Sequence, residues 1–397
     1  MRPLQGLRVL ELGYYMAGPF CGMLLADLGA DVVKVENPKG GDYARANGPF
    51  PPGSPDGAGF LRLNRNKRSV AIDLKRQDGR RVFRALARDA DVLVENYRPG
   101  TTADLGVDYA ALAQENPRLV YVAISGFGAT GGDRLRPGLD LIVQAESGLM
   151  SITGVEEGAP VKVGVPIGDL AAGLYGALAA VSALRERDRT GSGAFVDLAL
   201  HDVALSLAIW ESGVYWTTGE VPRPLGSAHR VDAPYQAFAT KDGHIVIGAT
   251  SPPNWAAFLR ATGLVERLGG AEWDTAHKRR ARYQELARII EEVTRTRTTA
   301  DWFGALSAAG VPCGRIRSYD QVLSDPATRE RGMVVDLAHP TLGKIQSLGS
   351  PIRFDAELLR ADTAAPGLGQ HTREVLRRYF SEAELDRYAA EGVIREG

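Results

Sequence analysis

Apolar residues in the first part of the chain fall into short strand-like runs separated by a stretch with helical spacing. LRVLEL (residues 7–12) and DVVKVE (residues 31–36) have the length and composition of buried β-strands. Between them, the apolar residues of segment 21–28 share one helical face, Pro19 suits the first turn, and Gly29 ends the run. This strand–helix–strand unit predicts the beginning of a doubly wound parallel sheet in an α/β fold.

The alternation of strands and helices continues along the chain to residue 216. Strands are predicted over residues 70–74, 91–95, 119–125 and within 188–200, and helices over 79–88, 109–113, from about 140, and over 202–216. Gly, Pro and Asp dominate residues 37–62, which predicts a long loop. A loop of this length in a compact domain is usually functional.

One stretch, VGVPIGDLAAGLYGALAA (residues 163–180), combines both patterns around a single acidic residue. Its first residues, 163–167, alternate like a short strand, and residues 170–184 predict a helix whose Ala and Gly residues allow close packing. Asp169 lies at the junction, where free backbone N–H groups and the positive end of the helix dipole are expected. Taken alone, this position predicts that Asp169 is a helix N-cap.

The second half of the chain begins with a change of composition. Residues 217–233 are rich in Pro and Gly and predict a linker, and residues 234–250 predict a β-hairpin that turns at Asp242–Gly243. Helices and short strands follow to about residue 325, which predicts a second, smaller α+β domain. The remaining segment, which ends in a predicted helix, is expected to return to the first domain.

Composition and charge exclude several classes of protein. The chain has 397 residues, 44% of them hydrophobic, and a formal net charge of −1, which gives no electrostatic basis for nucleic-acid binding or an anionic membrane surface. Cys21 and Cys313 are far apart and predict a reducing compartment without disulfides. The polar N-terminus is no signal peptide, and the longest apolar run, residues 170–184, is shorter than a membrane span. We therefore expect a cytoplasmic protein that binds neither membranes nor nucleic acid.

Motifs for redox and metal chemistry are weak. GFGATG (residues 126–131) matches the dinucleotide fingerprint, and Glu36 resembles a ribose-binding acid, but GDRLRPG follows the glycines where a helix is required. A nicotinamide-dependent dehydrogenase therefore remains only an alternative. The six histidines and two cysteines lack metal-ligand spacing, so we expect no metal. No nucleophile-elbow motif is present.

Basic residues in the first domain point to a phosphate ligand. Five of them fall in predicted loops or strand ends near the expected carboxyl edge of the sheet, namely Arg45, Lys67, Arg68, Lys75 and Arg98. Phosphates are commonly bound by such clusters, although solvated surface charge explains any single one of them equally well.

Several stretches together resemble the class III CoA-transferases, a family that includes formyl-CoA and carnitine CoA-transferases. The matching segments are PLQGLRVLELG, AGPFCGMLLADLGADVVKVE, GGDYAR, NRNKRSVAIDLK, VENYRPG, GLDLIVQAESGLMSITG, VGVPIGDLAAG, APYQAF and PGLGQHTREVL. They cover nearly the whole chain in the order found in the family.

The resemblance implies an acyl-CoA:carboxylate CoA-transferase in which Asp169, within GDLAAG, is the nucleophile. The reaction would proceed through an aspartyl anhydride and an aspartyl-CoA thioester, with no metal or redox cofactor. N–H groups at the helix N-terminus are expected to keep Asp169 ionised and to stabilise oxyanion charge. The resemblance also implies a homodimer of interlocked rings, with the active site between the large domain of one subunit and the small domain of the other.

The family pattern also implies a domain division and a CoA site. Residues 1–216 and 330–397 would form a large, Rossmann-like CoA-binding domain, and residues 217–329 a linker and small domain. Residues predicted to bind CoA are Met16, Ala17, Arg45, Ile72, Asp73, Leu74, Lys75, Asn96, Tyr97 and Arg98, with Asp140 and Met16 as supporting residues of the active site.

The chain departs from the formyl-CoA transferases at several of these positions. Met16 replaces a glutamine and Leu139 a tyrosine, while Asn37 and Asp104 replace two CoA-binding arginines, whose role we expect Arg45 and Arg98 to assume. The glycine-rich lid loop has no counterpart. These changes favour an acid other than formate or oxalate, for example a dicarboxylate such as succinate.

The α-methylacyl-CoA racemases share this fold and are the alternative closest to the prediction. They have a histidine just before the acid that corresponds to Asp140, whereas this chain has Leu139. Moving a proton between the two faces of a carbon needs two titratable groups. The sequence therefore favours the transferase.

Overall fold

The computed structural model describes residues 2–359 and 361–397. This part of the chain divides into two compact units. The first comprises residues 2–149, 162–217 and 326–397, and the second comprises residues 150–161 and 218–325. The second unit is therefore inserted twice into the first along the chain.

The strands are short and are distributed over both units. In chain order they are β1 (Arg8–Leu12), β2 (Asp31–Glu36), β3 (Lys67–Ile72), β4 (Val92–Glu95), β5 (Val120–Ser125), β6 (Ala194–Ala199), β7 (Tyr235–Ala239), β8 (His244–Gly248), β9 (Cys313–Arg315), β10 (Val334–His339), β11 (Gly343–Leu348), β12 (Arg353–Phe354), β13 (Glu357–Leu358) and β14 (Ile394–Arg395).

The helices range from single turns to one long helix, α8. In chain order they are α1 (Ala17–Asp27), α2 (Ala58–Leu63), α3 (Gln77–Arg88), α4 (Thr101–Asp104), α5 (Tyr109–Glu115), α6 (Asp140–Glu146), α7 (Leu149–Ile152), α8 (Ile167–Thr190), α9 (Leu200–Ser206), α10 (Ile209–Thr218), α11 (Pro252–Thr262), α12 (Val265–Leu268), α13 (Ala276–Ala281), α14 (Tyr283–Thr294), α15 (Thr299–Ala308), α16 (Tyr319–Ser324), α17 (Pro326–Glu330), α18 (Thr372–Leu376) and α19 (Glu382–Ala390).

The first unit is built on a seven-stranded sheet with the order β14-β3-β2-β1-β4-β5-β6. The six strands β3-β2-β1-β4-β5-β6, in this spatial order, are all parallel to their neighbours. On one side of β1, Arg8 lies opposite Asp31 of β2, and on the other side Val9 lies opposite Val92 of β4. The last strand, β14, pairs antiparallel with β3. The prediction of an α/β fold with a largely parallel sheet is therefore confirmed.

Both faces of this sheet are covered by helices. Val9 and Val32 belong to a core formed with α1 and α8, whereas Leu10 and Val33 belong to a core formed with α3, α18 and α19. Successive strand residues point to opposite faces, so a strand buried on both faces is apolar along nearly its whole length. This accounts for the continuous apolar runs in β1, β2 and β5.

Small residues bring α8 close to α1. A Cβ on Gly173 would lie 2.8 Å from the Phe20 ring, and one on Gly176 would lie 3.1 Å from the Cys21 Sγ. Among the described residues, α8 is the one helix long and apolar enough to cross a membrane by length and composition alone. Within its most apolar 18-residue stretch, 44% is buried inside the protein. Its packing against α1 and β5 is that of a core helix.

The second unit has its own core. Strands β7, β8 and β9 form an antiparallel sheet, and Phe238 and Ile245 on this sheet pack with Trp255 and Trp302 from the helices. The hairpin predicted at Asp242–Gly243 is confirmed, because β7 and β8 pair on either side of it.

Several predicted elements differ from the structure. No strand forms over residues 163–167, since the chain there is irregular and Ile167 already begins α8. The predicted loop 37–62 contains a 3₁₀ helix (Tyr43–Ala46), capped by Asp42, and most of α2, which buries Phe60. The helix predicted over 202–216 is divided into α9 and α10.

The close contact between α1 and the sheet provides a test of the fold. A Cβ on Gly22 would lie 2.1 Å from Glu11 Oε2, and Glu11 is fully buried and held 2.7 Å from both Lys34 and Lys67. Because that carboxylate cannot swing aside, we expect Gly22→Ala to lower the free energy of unfolding by about 3 kcal/mol. The measurement is urea denaturation followed by circular dichroism.

Gly59→Ala is the matched control. Gly59 lies in α2, and a Cβ added there would meet no packed neighbour within 4 Å, so alanine should stabilise the helix by up to about 1 kcal/mol. Equal effects of the two substitutions would contradict the tight α1–sheet contact.

Candidate active site

The predicted site residues collect at one edge of the large sheet. Strands β1, β3 and β4 end at this edge, and the segments that follow them carry Met16, Lys75 and Asn96. Helix α8 precedes the parallel strand β6, so its first residue lies near the same edge. In doubly wound sheets, ligands bind at the carboxyl ends of the strands.

A buried cluster of four charged side chains lies beside this edge, between the sheet and α1. The Lys34 ammonium is 2.7 Å from Glu11 Oε1 and 2.9 Å from Asp42 Oδ2, and Lys67 is 2.7 Å from Glu11 Oε2. All four side chains are inaccessible to solvent. Lys34 also donates to the Gly13 carbonyl oxygen, which fixes the first residue after β1.

The pKa values of the two lysines diverge within this cluster. Burial opposes the charge on Lys34, but attraction to Asp42 and Glu11 raises its pKa above the ordinary value. Burial outweighs the attraction of Glu11 at Lys67 and lowers its pKa to about 8. The site closed to water therefore favours the charge on Lys34 and disfavours the charge on Lys67.

The cluster is tied to a strained residue at the sheet edge. Asp42 Oδ1 accepts hydrogen bonds from the backbone N–H groups of Tyr15 (3.0 Å) and Ala44 (2.8 Å). Tyr15 has φ +60°, which is uncommon for a residue other than glycine. Such conformations persist where the surrounding structure over-determines them, and they cluster at functional sites.

Arg45 is fully engaged in a second buried network. Its guanidinium binds both oxygens of Glu36 (2.7 and 2.8 Å), Asp56 (2.8 Å) and the Pro366 carbonyl oxygen (3.1 Å), and it stacks on the Phe60 ring. The structure therefore gives no support to Arg45 as a phosphate ligand. Glu36 is equally unavailable to a ribose, which further weakens the dehydrogenase alternative.

Two other predicted cations remain accessible. Lys75 and Arg98 are exposed, and neither side chain forms an ion pair within the described residues. Their strands, β3 and β4, are three strand spacings apart in the sheet, or about 14 Å. The loop after β1 lies between them.

The other residues of these two segments are largely structural. Ile72 and Leu74 are buried in the core, and the Asp73 backbone N–H donates to the Val393 carbonyl oxygen. Asn96 accepts from the Tyr14 N–H (2.9 Å) and donates to the Tyr14 carbonyl oxygen (3.0 Å). These segments therefore offer backbone groups and the heads of Lys75 and Arg98 to a ligand.

Tyr97 forms part of an aromatic cluster at this edge. It packs edge-on against Tyr14, and Tyr14 in turn contacts Tyr43. Burial, followed by the nearby Tyr14, raises the pKa of Tyr97 well above its ordinary value. Tyr97 therefore remains a neutral hydroxyl near neutral pH.

Met16 and Asp169 are brought together by the contact between α1 and α8. Met16 is the N-cap residue of α1 and Ala17 is its first residue. A Cβ on Gly173, one helical turn after Asp169, would lie 3.0 Å from the Ala17 carbonyl oxygen. The predicted CoA loop and the predicted nucleophile are therefore neighbours.

Asp169 is the third residue of α8, and the N-cap position belongs to Pro166. The prediction that Asp169 is a helix N-cap is therefore wrong. The helix N–H groups are not free either, because Gly168 N donates to Asp140 Oδ1 at 2.8 Å and Asp169 N lies 3.4 Å from the same oxygen. The expectation that these groups keep Asp169 ionised is also wrong.

The Asp169 carboxyl group lies in an unfavourable environment for its charge. Burial, followed by repulsion from Asp140, raises the pKa of Asp169 to about 7. A carboxylate whose charge is disfavoured in this way is a stronger base than an ordinary aspartate. Perturbed acids in such positions are typical of functional sites.

Sequence reasoning missed the residues that support this site. Glu11 and Lys34 are charged positions inside otherwise apolar strands, LEL and VKV, and that interruption was the available signal. Asp42 and Gln144 gave no signal of their contacts with Tyr15 and Val163, which lie 27 and 19 residues away in the sequence. Across residues 2–359 and 361–397, no group of three or more His, Cys, Asp or Glu side chains could hold a metal ion.

The segment GFGATG also differs from a dinucleotide site. Residues 126–139 form bends and turns after β5, and the next helix begins only at Asp140. A Cβ on Gly126 would lie 2.6 Å from Gly138, so this glycine serves a close approach of two backbone segments. The prediction that no helix follows these glycines directly is confirmed.

Comparison with known proteins finds relatives that match nearly the whole chain. The chain is 37% identical to a succinyl-CoA:glutarate CoA-transferase of Mus musculus over 100% of this chain and 91% of the relative. It is 37% identical to a succinyl-CoA:mesaconate CoA-transferase of Haloarcula hispanica over 95% of this chain and 96% of the relative.

A solved structure and a family model also match nearly the whole chain. A CAIB/BAIF family protein from Brucella suis superposes with a TM-score of 0.85 at 36% identity, covering 95% of this chain and 99% of that protein. The model of CoA-transferase family III matches residues 4–372. The chain therefore belongs to CoA-transferase family III.

Proposed function

We propose that this enzyme transfers CoA from an acyl-CoA to a carboxylic acid, with Asp169 as the covalent nucleophile. The observation that carries the proposal is the Asp169 carboxyl group itself. It is half-buried at the start of α8, has a raised pKa, and lies one helical turn from the contact with Ala17. The shared family supports CoA transfer between an acyl-CoA and a carboxylate.

The first half-reaction exchanges a thioester for an enzyme-bound thioester. An Asp169 oxygen attacks the acyl carbon, the carbon–sulfur bond breaks, and a mixed anhydride and a CoA thiolate result. The thiolate then attacks the Asp169 Cγ, and the released acid carries away the carbon–oxygen bond electrons. Asp169 is left as an aspartyl-CoA thioester.

The second half-reaction is the reverse with another acid. The acceptor carboxylate attacks the aspartyl thioester and expels CoA thiolate, which then attacks the acceptor's acyl carbon. The new acyl-CoA leaves and the Asp169 carboxylate is restored. No metal or redox cofactor takes part, because every step exchanges one acyl substituent for another.

We propose succinyl-CoA as the donor and a short dicarboxylic acid as the acceptor. The relatives from mouse and Haloarcula are both named for succinyl-CoA, and their acids are glutarate and mesaconate. Met16 and Leu139, which depart from the formyl-CoA transferases, agree with a different acid.

We propose that the nucleotide part of CoA binds along the edge formed by the segments after β1, β3 and β4. Lys75 and Arg98 supply accessible positive charge, and the loop at Met16 leads toward Asp169. The strand order 3-2-1-4-5-6 within the sheet supports the Rossmann-like description of this CoA-binding unit.

We propose that the protein is a homodimer, with interlocked rings as in the family it resembles. Helix α10 has no buried residue, and Ile209 (79% exposed) and Trp216 (80% exposed) lie on it. Leu174 and Leu178 of α8 are exposed too. Such an apolar surface is typical of a protein interface, and the occupant we infer is a second copy of the chain.

The racemase alternative lacks a second acid–base group at the corresponding position. Leu139, directly before Asp140, is 74% exposed and cannot exchange a proton. Exchange of the substrate's α-hydrogen with deuterated solvent, without transfer of CoA, would favour the racemase over our proposal.

Trapping of the covalent intermediate tests the nucleophile. With succinyl-CoA and hydroxylamine or borohydride, we expect an adduct on the peptide that contains Asp169, located by mass spectrometry. Asp169→Asn should lower transfer by at least about 1000-fold, because the attacking oxygen is lost. Asp188→Asn, an exposed acid on the last turn of the same helix, is the control and should remain active.

The pH dependence of adduct formation follows from the same carboxyl group. Because the protonated acid does not attack, the rate should fall about tenfold for each pH unit below about 7. An aspartate with an ordinary pKa would keep its full rate to well below pH 6. A flat profile from pH 5 to 8, or full activity of Asp169→Asn, would contradict the proposal.

Two arginine variants separate ligand binding from stability. We expect Arg98→Ala to raise KM for the acyl-CoA about tenfold with little change in kcat, since an exposed phosphate contact is removed. Arg45→Ala should instead lower the free energy of unfolding by about 3–5 kcal/mol, because Glu36 loses its buried partner. The reverse pattern would overturn both assignments.

The oligomeric state tests the apolar surface. Sedimentation velocity should give twice the mass of the chain, and Ile209→Glu with Trp216→Glu should shift the protein toward monomer. Glu substitutions at the exposed polar positions Gln77 of α3 and Gln114 of α5, on the opposite side of the sheet, serve as controls. A monomeric wild-type protein would contradict the homodimer.

A further inference from the structure

Asp140 acts as the cap of a helix to which it does not belong. It is the first residue of α6, yet its Oδ1 accepts the Gly168 N–H of α8 at 2.8 Å and lies 3.4 Å from the Asp169 nitrogen. The N-cap residue of α8 is Pro166, which makes no side-chain cap. A carboxylate from another helix therefore occupies the donors that a first-turn aspartate would otherwise share.

Gln144, one turn along α6, holds this arrangement in place. Its side chain is fully buried, and its amide donates to Asp140 Oδ2 at 2.6 Å. Its carbonyl oxygen accepts the Val163 N–H at 2.9 Å, which ties the segment before α8 to the same residue. A Cβ on Gly168 would lie 3.1 Å from Asp140 Oδ1, so glycine leaves the space that the carboxylate uses.

An aspartate in the first turn of a helix is ordinarily stabilised as an anion. Free N–H groups and the helix dipole together favour its charge. At Asp169 these donors face a competing anion at close range, and the carboxyl group is itself half-buried. The charge on Asp169 is therefore both poorly solvated and repelled.

We propose that Asp140, held by Gln144, is a positioning residue that keeps Asp169 a strong nucleophile by withholding the N–H groups of α8 and by repelling its charge. The catalytic consequence rests on the proposed function of Asp169, whereas the electrostatic arrangement does not. A less stabilised carboxylate is more basic, and nucleophilicity rises with basicity. Activity then falls at low pH, where the same carboxyl group is protonated.

No other titratable group on the elements packed against α8 replaces Asp140 in this role. Those groups are Cys21, Asp27, Tyr121, Glu146, Asp197, His201 and Asp202. Asp27 pairs with Arg65, Glu146 with Arg136, and His201 with Asp202, while Asp197 accepts the Ala129 N–H. Of all these charges, only Asp140 acts on Asp169 together with burial.

The test is a direct titration of Asp169. Carbon-13 NMR of protein labelled at the aspartate carboxyl carbons follows each group with pH, and Asp169→Asn identifies the Asp169 signal by its loss. In the wild type we expect a pKa near 7. Asp140→Asn, which removes the charge and keeps an acceptor, should lower it by more than about one pH unit.

Asp140→Ala extends the series, because it also frees the N–H groups for Asp169. We therefore expect the pKa of Asp169 to fall further in Asp140→Ala than in Asp140→Asn. Glu146→Gln is the matched control, since it removes one negative charge from the same helix but from an exposed pair with Arg136. In Glu146→Gln, the pKa of Asp169 should equal that of the wild type.

A double variant separates charge from structural support. In Asp140→Asn alone, the new side-chain NH₂ group faces the NH₂ group of Gln144, and two donors meet. Adding Gln144→Glu supplies a carboxylate that accepts from both the new asparagine and the Val163 N–H. The negative charge then lies on residue 144, farther from α8. The double variant should unfold at the wild-type urea concentration and still titrate below wild type at Asp169. A wild-type pKa of Asp169 in this folded double variant would overturn the proposal.

The kinetic counterpart is measured above pH 8, where Asp169 is ionised in every variant. There the rate of adduct formation from succinyl-CoA should be several-fold lower in Asp140→Asn, and its acid limb should lie at lower pH. If the adduct forms on Asp169 but the pKa of Asp169 is unchanged by the Asp140 substitutions, this inference alone is refuted. If the pKa of Asp169 responds to the Asp140 substitutions as expected but the Asp169→Asn variant keeps full transfer activity, the proposed function alone is refuted.

Discussion

The larger unit depends on four charged side chains that have no contact with water. Glu11 lies between Lys34 and Lys67, and Lys34 also pairs with Asp42, so the charges balance between the sheet and α1. Removing any one of them would leave an uncompensated charge in a site of low polarity. The cluster thereby fixes the end of β1 and the loop at residue 42, the two segments that border the proposed ligand site.

Small residues extend this constraint to the nucleophile. Gly22 lets α1 approach Glu11, and Gly173 and Gly176 let α8 approach α1. The charged cluster, the loop at Met16 and the start of α8 thus form one close-packed frame, with Asp140 closing the helix terminus from α6. Within such a frame a carboxylate can be kept unfavourably charged, because the packing around it does not relax.

Local pattern is sufficient for the elements of the sheet and insufficient for the contacts of the site. Apolar runs predict the bounds of β1, β2 and β5 nearly to the residue, because a strand buried on both faces has apolar residues at consecutive positions. The family motif identifies Asp169, but its environment depends on Asp140 and Gln144, whose hydrogen bonds to α8 and to the segment before it span 19 to 29 residues. The prediction for Arg45 fails for the same reason, since its contacts with Pro366 and Asp56 are invisible to local pattern.

The sheet is completed by a strand that is synthesised long after its neighbours. β14 pairs with the edge of β3, and more than three hundred residues of chain separate the two strands. The same edge also forms hydrogen bonds with His371 and Thr372, so the C-terminal segment as a whole covers a strand edge of the kind through which unfolded chains associate wrongly.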